Sequence, residues 1–345
     1  MRDLTRGPRR AAAAGLDRAI ARVACREHRL IGLALLRIAI GVGTVMYCLA
    51  DYGDRQFFWG PHSYNSPQLA AQAVPHLGFS LYFVSHSQWW FELLFHATVL
   101  VAAAFAVFGG RALTVATAVL MWSLYYRNQD VLEGGNNLVE ILVIFMAFTV
   151  SNAYFAPGAK RRRQRLRETA GTPTIRTAAH NLGTYLIVFQ TAVLYLTAGY
   201  WKVAGKVWQD GVAMYYISRV TGFQMSTAYA HWMSNATLGT AVCYFTVFVE
   251  LAFPFAIVST RPWVRKTVTV SVEAMHLGIM AFMGLVCFGL MMIGADCVCL
   301  RDEDYRAMWL RARRLADAVT GRLRAVDLLP SPAVVRLAEP EERHA

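Results

Sequence analysis

Apolar residues along this chain gather in long runs, separated by short breaks that are polar or basic. The runs cover about 30–50, 91–108, 111–126, 138–156, 180–200 and 237–258, and a last stretch extends from about 267 to 294. A helix of about 20 residues crosses a hydrocarbon core of about 30 Å, and each run comes close to that length or exceeds it. The pattern predicts an all-α protein, a polytopic transmembrane helix bundle of seven or eight membrane segments. The count turns on the last stretch. Read as one helix it is long and tilted; Gly284, Gly289 and Gly294 also allow two shorter pieces with a break, which is tolerated when buried in protein. We read a broken last helix, because it returns the seven arginines of 301–324 to the side of the other basic clusters.

Composition agrees with this. The 345 residues are 56% hydrophobic and 16% charged, where soluble domains carry about 25% charged residues. The net charge of +12 matters less than its placement. Basic residues crowd Arg2–Arg29, Lys160–Arg167, Arg261–Lys266 and Arg301–Arg324. Each cluster flanks an apolar run, which is the positive-inside pattern and not a nucleic-acid surface. The expected topology has a cytoplasmic N-terminus, with 51–90, 127–137 and 201–236 outside and 109–110, 157–179 and 259–266 inside. The C-terminus returns to the cytoplasm. The protein is thus expected to be multi-pass in the cell membrane, with the lipid bilayer as its first partner and no nucleic acid. No cleavable signal peptide is visible, so the first run acts as an uncleaved anchor. The chain divides into a basic cytoplasmic segment (1–29), a membrane domain (30–297), a basic amphipathic interfacial helix (298–328) and a disordered end (329–345). In the interfacial helix Tyr305, Met308, Trp309, Ala312, Leu315, Ala316, Val319 and Leu323 share one face, with arginines around it.

The candidate chemistry lies in and beside the runs. The fifth run breaks at Gly199 and delivers Trp201, Lys202, Lys206, Trp208 and Asp210 within ten positions. A lysine at a helix mouth ringed by indoles is either a reactive centre or a snorkelling interfacial residue. Arg37, Glu92, His96, Glu140, Gln190, Glu250, Glu273 and His276 fall inside apolar runs. Such groups are costly in lipid and should point into a shared interior, as ties between helices or as proton-transfer groups. The motif Gly134-Gly135-Asn136-Asn137 joins backbone permissiveness to two amides able to orient a carbonyl or an oxyanion. The six cysteines form no disulfide framework, and the single Cys297-x-Cys299 pair lacks the four ligands of a structural zinc site. No metal is expected.

These residues carry a family resemblance. Leu-Leu-Arg37, Arg111 opening the third run, Gly-Gly-Asn136-Asn137 and Ser-Asn152-Ala-Tyr come in the order of the HTTM family, the bacterial branch of the vitamin K-dependent γ-carboxylase membrane domain. The fullest match runs from Gln190 to Arg219 through Ala-Gly-Tyr-Trp-Lys202, Trp208, Asp210-Gly211 and Tyr-Ile-Ser-Arg219; Glu250 and His276…Phe282…Gly284 follow. The likeness covers about 30–297. It implies that Lys202 matches the base that deprotonates vitamin K hydroquinone, so a reduced quinone is the implied cofactor. It also implies that Asn136, Asn137, Trp201, Trp208, Asp210 and His276 bind substrate or cofactor, in one pocket with Lys202. Arg37, Gln190, Glu250 and Glu273 then form the structural polar core. Two departures stand out: Leu138 replaces the histidine that follows the Asn-Asn pair, and about 48 residues follow Cys297 where the carboxylase has a large lumenal domain. They turn the expectation from glutamate carboxylation toward a related quinol- or lipid-linked reaction on a lipophilic small molecule or peptide. A non-catalytic transport, immunity or assembly subunit is the alternative.

Overall fold

The computed structural model describes residues 23–66, 69–70, 79–132, 134–223 and 225–327. Most of the basic N-terminal segment and the whole 329–345 end lie outside the described residues. The chain is all-helical, with no strand among the described residues. Its main helices are α1 (Leu30–Ala50), α2 (Gln88–Phe108), α3 (Arg111–Arg127), α4 (Gly134–Met146), α5 (Ala159–Glu168), α6 (Ile175–Ala204), α7 (Ala236–Val258), α8 (Pro262–Gly278), α9 (Val286–Cys299) and α10 (Asp302–Asp327). Four of them, α1, α2, α6 and α7, are long and apolar enough to cross a membrane. Helices α4 and α9 are apolar but shorter. Leu100, Phe189, Phe248 and Phe255 stand exposed on α2, α6 and α7, an apolar surface compatible with a bilayer.

The chain divides after Asp302. The second unit holds nearly all of α10, an amphipathic helix whose Met308, Trp309 and Leu315 are exposed.

Within the first unit, α1 packs against both α2 and α9. The contacts are made by residues too small to keep the backbones apart. A Cβ on Gly32 would strike the carbonyl of Cys297, and one on Gly294 would strike Ala39. The entry to α1 is pinned to the end of α9. Arg29, in the left-handed region at φ 58°, donates from its guanidinium to the Val298 carbonyl at 2.7 Å. Asp302 accepts from the backbone N–H groups of Leu30 and Ile31 at 3.2 and 2.9 Å. A carboxylate there meets the unsatisfied donors and the positive end of the helix.

The 267–294 stretch is two helices. Helix α8 ends at Gly278, a single π-helical turn follows at Ile279–Met283, and Gly284 turns the chain at φ 75°. A side chain there would be strained by the backbone and would strike Met225. Helix α9 then runs back along α8, with Gly289 seated under Met280 and the His276 carbonyl.

The expected helix over 138–156 is corrected. Helix α4 begins earlier, at Gly134, and stops at Met146; turns follow to about residue 158. Thr149, Ser151 and Asn152 interrupt the apolar run here, Pro157 and Gly158 close it, and the backbone of this segment finds partners elsewhere. Val150 N–H donates to His180 Nδ1 at 2.9 Å. The carbonyls of Ala153 and Phe155 accept from Arg163 and Arg37 at 2.7 and 2.6 Å, and Arg162 reaches those of Asn152 and Pro157. Backbone groups satisfied this way do not need a helix. At the other end, the loop after α1 is gathered by buried Arg127, which donates to Gly60 O, Asn65 O and Ser63 Oγ.

Gly32→Val should lower the stability of the detergent-purified protein by about 1–3 kcal/mol, the usual cost of overpacking. Gly53→Ala, with open space around it, should change nothing. Thermal unfolding of the two variants checks this, and equal melting temperatures would refute the α1–α9 contact.

Candidate functional site

Helix α6 sets Tyr195, Gly199 and Lys202 at spacings of four and three, so they share one face. Gly199 lets Leu251 of α7 come against the backbone, which brings α7 close enough for a side-chain pair one turn further on. There Lys202 Nζ donates to both oxygens of Glu250 at 2.8 Å. The lysine side chain is 22% exposed and the glutamate 7%. Snorkelling does not describe this lysine: it reaches across to a buried carboxylate on another helix and not out to water. The ring of Trp208 lies 5.4 Å from the ammonium, within cation–π range.

The rest of the motif goes elsewhere. Trp201 is 68% exposed, so Trp208 and not Trp201 covers the lysine. Asp210 pairs with Lys206 at 2.6 Å, an exposed contact four residues apart on a local helical turn. Such a pair contributes little stability.

One to two turns down α6 lies a fully buried cluster. The Tyr195 hydroxyl donates to Asp296 Oδ2 at 2.8 Å and meets His276 Nε2 at 2.7 Å. With that proton given to Asp296, the tyrosine oxygen accepts from His276, which therefore carries its proton on Nε2. His276 Nδ1 and Asp296 Oδ1 are then left buried without a partner. Glu273, half-buried, stands one turn before His276 on α8. The cluster joins α6, α8 and α9 and holds an acceptor nitrogen and an acceptor oxygen in reserve. Neither Tyr195 nor Asp296 was among the expected site residues. Asp296 had a visible signal, a carboxylate inside the apolar run of α9.

The Gly-Gly-Asn-Asn motif divides. Gly134 and Gly135 take the ring and backbone of Phe288 against α4, so the glycines serve helix packing. Asn136 is buried; its Oδ1 accepts from Tyr125 at 3.4 Å and its Nδ2 has no partner. Asn137 is exposed on the other side. The route from this motif to Lys202 passes through packed rings: Phe288 lies 5.8 Å from His276, which holds Tyr195 on the lysine's own helix.

The other polar residues of the runs separate as well. Arg37 is buried against the Phe155 carbonyl in the turn after α4, away from the lysine's partners. Gln190 is half-buried on α6, five residues before Tyr195 and so about 140° around the helix from it. Glu92 binds Arg55 and Gln56 at the mouth of α2, and His96 binds Tyr52 there. Among the described residues no group of three His, Cys, Asp or Glu could hold a metal ion. No protein-family model matches the chain, and neither a curated protein nor a solved structure matches it.

Glu250→Leu alone strands a mostly buried ammonium and should destabilise the protein by about 3 kcal/mol. The double change Lys202→Met with Glu250→Leu should recover most of that loss. Thermal melts of both variants measure it. Equal losses in the single and double variants would mean that the cost of Glu250→Leu does not come from an ammonium left without its partner.

Proposed function

We propose that this chain is a multi-pass membrane enzyme of the HTTM family, with Lys202 and Glu250 as its proton-transfer pair. The observation that carries the reading is the two-oxygen contact of Lys202 Nζ with Glu250 inside an apolar bundle, above the buried Tyr195–His276–Asp296 cluster. A lysine that donates to both carboxylate oxygens acts as a base only after passing a proton to its partner. Glu250 is the group placed to take it, and Lys202 Nζ then offers a lone pair beside the Trp208 face.

The residues present suit a reduced quinone. Trp208 offers an aromatic face for a flat ring, and the Lys202–Glu250 pair offers an acceptor for a phenolic proton. Such a group, when bound, supplies the oxidisable hydroxyl; the chain orients the ring and removes the proton.

The membrane arrangement we propose has eight segments: six crossings, α1–α4, α6 and α7, and a hairpin made by α8 and α9. The contact of Asp302 with the start of α1 supports an in-and-back path for the hairpin. With the arginine-rich α5 on the cytoplasmic side, both ends of the membrane domain are cytoplasmic. A cysteine at Gln164 should then resist an impermeant thiol reagent in intact cells, while one at Gly222 should react. The reverse pattern would overturn the topology.

A second reading rests on the same contact. Because Glu250 engages Lys202 through both carboxylate oxygens, the pair also serves as a tie between α6 and α7 in a non-catalytic transport, immunity or assembly subunit. The Lys202→Met/Glu250→Leu protein separates the two, since it keeps the tie apolar and removes the protons. In nanodiscs a reduced naphthoquinone should raise the melting temperature of the unaltered protein and leave that of the double variant unchanged. Equal stabilisation of both would remove the pair from the site, and no stabilisation of either would favour the tie.

A further inference from the structure

The Gly-Gly-Asn-Asn motif has a second asparagine that the chain of contacts around Lys202 does not use. Asn137 lines a polar pocket of about 300 Å³ where α3 and α4 meet, together with Tyr126, Gln129, Leu132 and Glu140. None of these residues is a hydrogen-bond or ring partner of Lys202, Glu250, Tyr195 or His276.

The lining defines what it takes. Glu140 Oε1 is buried and has no hydrogen-bond partner, so an acceptor stands ready for a donor. No basic side chain lines the pocket. Arg127, next to Tyr126 in sequence, uses its guanidinium on Gly60, Asn65 and Ser63, while the acidic Asp130 shares a turn with Gln129. The field in the pocket thus favours a cation. The two amides can turn their oxygens inward, and Tyr126 is held by stacking on Trp122 at 4.5 Å between ring centroids. The volume is far larger than a bare metal ion needs and suits a small organic head.

We propose that this pocket binds an organic ammonium group, with Glu140 as its counter-ion, Asn137 and Gln129 as further acceptors and Tyr126 as an aromatic wall. An ethanolamine lipid headgroup and a free amine share this chemistry. The proposal does not depend on the role of Lys202.

The test uses the full chain in phosphatidylglycerol nanodiscs, titrated calorimetrically with ethanolamine and with ethylene glycol, its neutral counterpart. Ethanolamine should bind and ethylene glycol should not. Glu140→Gln should weaken ethanolamine binding about ten- to a hundredfold, the loss expected for a charge-assisted hydrogen bond. Asn137→Ala, an exposed change that spares the fold, should weaken it by a smaller factor. In a second arm, nanodiscs containing phosphatidylethanolamine identify the source. Competition with ethanolamine, and lipid retained by the unaltered protein but not by Glu140→Gln in native mass spectrometry, would assign the lipid headgroup; no competition would assign the free amine. Failure of ethanolamine to bind in phosphatidylglycerol discs, equal binding of ethylene glycol, or unchanged binding to both variants would overturn the proposal.

Discussion

A charge set among apolar helices has no water around it, so its partner has to come from another segment of the chain. In this protein that demand decides which segments meet. Lys202 draws α6 to α7 through Glu250. Arg37 draws α1 to the turn after α4 through the Phe155 carbonyl. Arg29 joins the entry of α1 to the end of α9, and Arg127 gathers the loop that follows α1. Three of these four cations are arginines bound to backbone carbonyls, so each also satisfies polar backbone that no helix satisfies. Small residues such as Gly32 and Gly294 then allow the helices to come close enough for the partners to reach.

The candidate site follows from the same economy of partners. Tyr195, His276 and Asp296 supply one another with hydrogen bonds across three helices, and two atoms remain over: His276 Nδ1 and Asp296 Oδ1. Buried polar atoms without partners are costly, and a protein retains few of them without a use. Their position one to two turns from the Lys202–Glu250 pair makes a continuous ionisable face of α6 out of residues that stand far apart in sequence. Phe288 presses on His276 from one side and on the α4 glycines from the other. Packing therefore links the Gly-Gly-Asn-Asn motif to this face, without a polar contact between them.

Much was legible in the amino-acid sequence alone. Hydrocarbon-length apolar runs specify helices, because an unpaired backbone amide cannot be left in an apolar setting. Of the three glycines in the last stretch, Gly284 marked where it breaks; Glu250 and His276 stood out as ionisable groups in apolar runs, and Lys202 as one at the mouth of a run. Two features were not legible. The shortening of α4 depends on His180, Arg162 and Arg163, whose side chains answer the backbone of the following turn from 10 to 30 residues away. The grouping of site residues was hidden too. Sequence neighbourhood offered Trp201 and Asp210 as companions of Lys202, but a helix turns its successive residues to different faces and Asp210 found Lys206 four residues back.

The sequence by itself determined the helical, apolar character of this protein and the residues whose charge would have to be answered, because both follow from local composition and period. Only the tertiary structure decided the answers. Glu250 for Lys202 lies 48 residues on, and Asp296 for Tyr195 lies 101 residues on. Such pairs depend on which helices pack side by side and at what height, and that is set by backbone contacts between glycines and distant carbonyls that no local pattern records.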